Sequence, residues 1–240
     1  MEISTQAGFH LHAPKTAGTS ILLALLTNSN EFRENYGHFF KDQMNEPDTP
    51  LTIPLDIDNW SFGGVGSSKP GHTKFITFGI RNPYDRMLSL IKQINKQNKQ
   101  LQNDEHHANL HTTKMYTLKS HLAEIRRYNK IDWGDFHESL RPPKWSIIAT
   151  LSQWEDTLGC NFGIKYIRFE NLVEDFQTIY PEWELPHKMK FDAPLYVKEN
   201  FDSQEILDKF NQIHETDFSR YSYTMITDIN DLYQKYQINS

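Results

Sequence analysis

Phe9-His-Leu-His-Ala-Pro-Lys-Thr-Ala-Gly-Thr-Ser-Ile-Leu-Leu-Ala-Leu-Leu26 changes character twice within one short span. Residues 9–13 alternate apolar and polar side chains, which predicts a short strand. Pro14 to Ser20 is a tight polar loop, and Ile21–Leu26 is apolar throughout, as a buried helix requires. Strand, tight loop and buried helix in that order open an α/β fold.

The rest of the chain repeats the theme. Residues 74–80, Lys-Phe-Ile-Thr-Phe-Gly-Ile, predict the clearest strand. Asn82 and Pro83 then supply an N-cap and a first-turn proline, so a helix follows with Met87, Leu88 and Ile91 on its buried face. It fades into a polar helix or loop over about 92–114. Met115, Leu118, Leu122 and Ile125 share a helical face, as do Ile147, Ile148, Leu151, Trp154 and Leu158. Trp154 is expected in the core. Ile164–Phe169 alternates as a strand. Asn171 is placed to cap a short helix that Pro181 ends, and Asp202-Ser-Gln-Glu205 is a capping-box pattern before Ile206, Leu207, Phe210 and Ile213. Residues 31–71, rich in proline and glycine, read as a loop-rich insert. The expectation is one α/β domain over 1–240, with a mainly parallel central sheet flanked by helices.

Composition narrows the function. Lys plus Arg number 25 and Asp plus Glu 31, a formal charge of −6, which disfavours sequence-independent nucleic-acid binding. Charged residues are 23% and apolar residues 38%, a globular composition. The single cysteine, Cys160, excludes an internal disulfide framework and a cysteine-rich zinc site. Six apolar residues at 21–26 are far short of the roughly twenty that span a membrane. The start, Met1-Glu2-Ile3-Ser4, lacks a signal-peptide pattern. A soluble, cytoplasmic protein without a membrane span is expected.

Two loops carry chemistry. Pro14, Lys15, Thr16, Ala17, Gly18, Thr19 and Ser20 follow a strand and open a helix. Successive backbone N–H groups there form an anion cradle; the hydroxyls add donors and Lys15 a positive charge. This is not a Walker A loop, in which lysine follows the last glycine. The second loop is Arg81-Asn-Pro-Tyr-Asp-Arg-Met-Leu-Ser89. Its arginine at a strand end offers a planar fork for an oxyanion. Its serine lies about 10 Å along the new helix. Read singly, the first loop could be plain capping and the second a structural turn.

Together the loops resemble the 5′-phosphosulfate and 3′-phosphate loops of sulfotransferases that use 3′-phosphoadenosine 5′-phosphosulfate (PAPS), closest to the carbohydrate branch. Tyr166-Ile-Arg-Phe-Glu-Asn-Leu-Val-Glu-Asp175 is similar to that family's Arg-Phe-Glu-Asn-Leu passage. Asp217-Phe-Ser-Arg-Tyr-Ser-Tyr223 is similar to its Asp-Phe…Phe-Gly-Tyr ending. The resemblance runs from about Phe9 to Tyr223, with the middle loops poorly matched.

It implies a P-loop-like three-layer fold and sulfuryl transfer from PAPS to a hydroxyl, in the closest branch that of a glycan. Adenosine 3′,5′-bisphosphate leaves, and no metal is expected. Lys15 would contact the bridging oxygen, residues 16–20 the 5′-phosphate, and Arg81 with Ser89 the 3′-phosphate. A general base must take the acceptor's proton. His72 is favoured and His38 is the other candidate; either is also readable as a turn or surface residue. The chain lacks the helix that glycan-modifying relatives often place between base and second loop.

Other features are weaker. His106, His107 and His111 lack a clear fourth ligand for zinc. Cys160 and the basic clusters at 141–144 and 187–190 read as packing and solvated charge. Residues 31–71 and 92–145 would set the acceptor. Two rivals share the α/β reading. A phosphate-loop kinase or NTPase would need ATP and Mg²⁺, and the displaced Lys15 argues against it. A non-catalytic nucleotide- or glycan-binding module would tolerate loss of Lys15.

Overall fold

The computed structural model describes residues 9–11, 13, 16, 18–30, 64–65, 75–102, 115–128, 149–156, 163–185 and 196–236. Helix and strand are mixed, as an α/β chain requires. Two compact units divide the chain. The first takes Met1–Arg81, Phe136–Ser146 and Gln153–Met189, and the second Asn82–Asp135, Ile147–Ser152 and Lys190–Ser240.

The first unit holds the sheet, formed by β1 (Phe9–Leu11), β2 (Gly64–Val65), β3 (Ile76–Ile80) and β4 (Ile164–Arg168) in the order β2-β1-β3-β4. β1 runs parallel to β3, with Phe9 opposite Ile76, and β3 parallel to β4, with Ile80 opposite Arg168. Among the described strands only the short β2 is antiparallel to its neighbour. Every residue of β3 is buried, which is why its sequence reads as a nearly continuous apolar run. On β4 only Ile167 is buried.

The loop after β1 leads into α1 (Gly18–Asn28), and a single 3₁₀ turn, Phe169–Asn171, joins β4 to α5 (Leu172–Ile179). Ile21, Ala24 and Leu25 of α1, one helical face at 3.6-residue spacing, pack with Ile167, Phe176 and Tyr180. Trp183 stacks on Tyr180, ring centres 4.4 Å apart. Asn28 ties the end of α1 to Ala24 O and, at 3.2 Å, to Glu184 O.

Among the described residues the elements of the second unit are helical: α2 (Pro83–Gln102), α3 (Leu118–Tyr128), α6 (Val197–Asn200), α7 (Gln204–Arg220) and α8 (Ile229–Lys235). α4 (Leu151–Asp156) contributes Leu151 and Ser152 to this unit and its remaining residues to the first. Tyr84, Met87, Leu88, Ile91, Leu118, Leu122, Leu207, Phe210, Phe218 and Leu232 form its core. Tyr84 lies among Phe201, Phe210 and Phe218 and donates its hydroxyl to Asn211 Oδ1 at 2.7 Å. Asn82 caps α2, its Oδ1 accepting the Tyr84 N–H at 3.1 Å, as the Asn-Pro start predicts. Trp154 is buried, also as expected.

Several local expectations are corrected. β1 ends at Leu11. α2 reaches Gln102, so the first part of the polar stretch takes the helical of its two expected forms. Met115 does not join the α3 face: it precedes the helix and is 55% exposed. The helix starts later because Thr117 and Ser120 cap it reciprocally. Ser120 Oγ accepts the Thr117 N–H at 2.8 Å, and Thr117 Oγ1 the Ser120 N–H at 3.3 Å. The Asn171 side chain caps nothing, because α5 continues directly from the 3₁₀ turn. The capping box at 202–205 does not form: Asp202 pairs with Lys119 at 2.6 Å and Glu205 with Lys209 one turn on. Among the described residues no helix is long and apolar enough to cross a membrane.

Candidate functional site

Within the first unit, β1 and β3 are parallel neighbours, so their carboxyl ends emerge at the same edge of the sheet. Thr16 belongs to the loop after β1, and Arg81 directly follows β3. Thr16 and Arg81 therefore lie at one edge of the sheet, the kind of edge where α/β sheets bind ligands.

Thr16 and Ala13 are fully buried, and Thr16 donates its hydroxyl to Ala13 O at 2.8 Å. That bond takes up the Thr16 hydroxyl proton. Thr16 packs onto β3 at Gly79: a Cβ there would stand 2.6 Å from the Thr16 carbonyl oxygen and 2.8 Å from Oγ1. Sequence reading missed Gly79, although a glycine inside a strand signals close approach by another backbone. Gly18 and Thr19 begin α1. Ser20, in the first turn, is fully buried, and its Oγ has no hydrogen-bond partner among the described residues. Such a hydroxyl costs about 1–3 kcal/mol unless something satisfies it.

Arg81 is 3% exposed, and its guanidinium carbon lies 3.8 Å from the Phe169 ring centre. The sheet register explains the pairing: Ile80 is opposite Arg168, so the next residues, Arg81 and Phe169, leave adjacent strand ends together. Asp175 Oδ2 accepts the Arg168 N–H at 2.8 Å and pins the corner that presents Phe169. Nothing in the sequence alone pairs these two residues, because the pairing depends on register.

Ser89 belongs to the second unit, buried on α2. Pro14, Lys15, Ala17, His38 and His72 lie outside the described residues, as do His106, His107, His111 and Cys160. Among the described residues no group of three or more His, Cys, Asp or Glu could hold a metal ion.

The second unit contains a buried polar cluster that the sequence did not reveal. Asp217 accepts the backbone N–H of Leu151 at 3.0 Å and of Ser152 at 2.7 Å, and His214 Nδ1–H at 3.0 Å. Burial pushes its carboxyl up, but the bonds from His214 and Ser152 outweigh this and hold it at about 2. Arg86, wholly buried, donates to Ala149 O at 3.0 Å. Burial lowers it to about 10 against the opposing pull of Asp217. His121 is brought down to about 3 by burial, and then by His214 and Arg86; its Nδ1 meets the Tyr116 hydroxyl at 3.0 Å. His214 is also lowered, by burial first. Asp217 thus anchors the start of α4.

No family model matches this sequence, and neither a curated protein nor a solved structure matches it.

Proposed function

We propose that the chain is a PAPS-dependent sulfotransferase with a P-loop-like three-layer fold, acting on a hydroxyl of a glycan. One observation carries the reading: the loop that resembles a 5′-phosphosulfate loop and the arginine that resembles a 3′-phosphate ligand leave the same edge of a parallel sheet. Ser20 adds support, since a 5′-phosphate oxygen would satisfy its buried Oγ. So does Gly79, which admits the loop to the sheet.

In this reading the acceptor oxygen attacks sulfur in line. The new O–S bond forms as the S–O bond to the 5′-phosphate breaks, and adenosine 3′,5′-bisphosphate departs. Charge grows on the leaving phosphate oxygen, which Lys15 and the N–H groups that open α1 would stabilise. The acceptor's proton passes to a base, for which His72 and His38 are the candidates.

The test is PAPS labelled on sulfur, incubated with a mixture of glycans. Label should move to a glycan, and Lys15→Ala should lower that rate by at least a hundredfold, as loss of a single transition-state charge contact does. Stable PAPS with every acceptor, alongside Mg²⁺-dependent consumption of ATP, would replace this reading with the kinase one.

A further inference from the structure

We propose that Phe169 is a positioning residue for the 3′-phosphate: its ring holds the Arg81 guanidinium flat, so that the in-plane N–H donors meet the phosphate edge-on. The inference rests on the donor reading above and names how the site would recognise that phosphate.

A guanidinium offers two kinds of surface. Its face is attracted to an aromatic ring, and its edge carries the N–H donors. With its carbon 3.8 Å from the ring centre, Arg81 is within contact distance of Phe169. Contact through the face leaves the donor edge oriented by the ring. An arginine side chain loses about 2 kcal/mol of rotamer freedom when fixed. A ring that fixes it in advance removes part of that loss from ligand binding.

Three features fix the backbone that carries the ring. The parallel register sets Arg168 opposite Ile80, so Phe169 and Arg81 are the first residues past two paired strand ends. The 3₁₀ turn Phe169–Asn171 starts at once, stopping the chain from continuing as strand. Asp175 anchors the preceding N–H, so the corner is fixed from the α5 side as well. Arg81 is itself nearly fully buried, so few alternative orientations are open to it.

The experiment is calorimetry with adenosine 3′,5′-bisphosphate and adenosine 5′-monophosphate on wild type, Phe169→Leu and Phe169→Tyr. The readout is the ratio of the two affinities, which a partly unfolded sample does not change because misfolding lowers only the stoichiometry. Wild type should prefer the bisphosphate. Phe169→Leu should lose about tenfold of that preference with the monophosphate affinity unchanged, and Phe169→Tyr, which keeps a ring, should retain it. Wild-type preference that survives in Phe169→Leu overturns the role of Phe169 and leaves the donor reading standing. Equal loss for both nucleotides also overturns it, since that marks a general structural role. A wild type with no preference for the bisphosphate overturns the donor reading itself, and this inference with it.

Discussion

The carbonyl oxygen of Thr16 would lie 2.6 Å from any Cβ placed on Gly79. Only a residue without a side chain lets the loop after β1 settle on β3. The Thr16 hydroxyl, which would itself lie 2.8 Å from that Cβ, is also tied to Ala13 O at 2.8 Å.

Gly79→Ala should therefore push the loop off the strand. Overpacking of this kind costs about 1–3 kcal/mol. Thermal unfolding should show the destabilisation, and affinity for adenosine 3′,5′-bisphosphate should fall at least tenfold. An alanine variant with wild-type melting and affinity would mean that the loop does not need this contact.

At the end of α7, Ser222 has φ of 58°, the left-handed conformation that glycine adopts without strain. The Tyr223 N–H reaches back to Phe218 O at 3.0 Å, the Schellman closure of a helix end. The family ending that this segment resembles has glycine here. Ser222→Gly should stabilise the protein by about 1 kcal/mol, the usual cost of a side chain in this region. Urea unfolding checks it, and a loss of stability would show that the serine side chain contributes more than the strain costs.

Acid should weaken the second unit. His121 is held at about 3, below its ordinary 6.5, so it stays neutral when folded. As pH falls below 6.5 the unfolded chain takes up a proton that the folded chain refuses, and stability drops until about pH 3. Asp217 acts in the same direction over a lower window, from 3.8 down to about 2, where protonation removes the charge that binds His214 and the α4 backbone. At about pH 4.5 the His121 contribution alone amounts to about 3 kcal/mol. Urea titrations at neutral and acid pH should show this loss, and His121→Gln should flatten it. Parallel profiles for the two proteins would remove His121 as the cause.

Much of the frame was legible because burial leaves a mark on sequence. β3 is covered on both faces, and its residues are apolar or small. Asn82 could be read as a cap because its role is local, one turn from the group it satisfies. Features that depend on distant partners were not legible. Asp202 and Glu205 match a capping box in spelling, yet lysines claim both carboxylates. Phe169 meets Arg81 only once two strands adopt a particular register. Asp217 holds the start of α4 from far along the chain, which no periodicity encodes. In the candidate site, the motifs located Thr16, Ser20 and Arg81, but the supporting contacts from Gly79 and Phe169 emerged only from the fold.

The central claim is that the edge carrying Thr16 and Arg81 binds a nucleotide bearing a 3′-phosphate. The most direct measurement is titration calorimetry of wild type and Arg81→Ala with adenosine 3′,5′-bisphosphate, set against ATP with Mg²⁺. The account predicts that wild type prefers the bisphosphate and that Arg81→Ala weakens it by about 1.5–3 kcal/mol, the range for a charge-assisted hydrogen bond. Tight binding of ATP with Mg²⁺, and none of the bisphosphate, would contradict it.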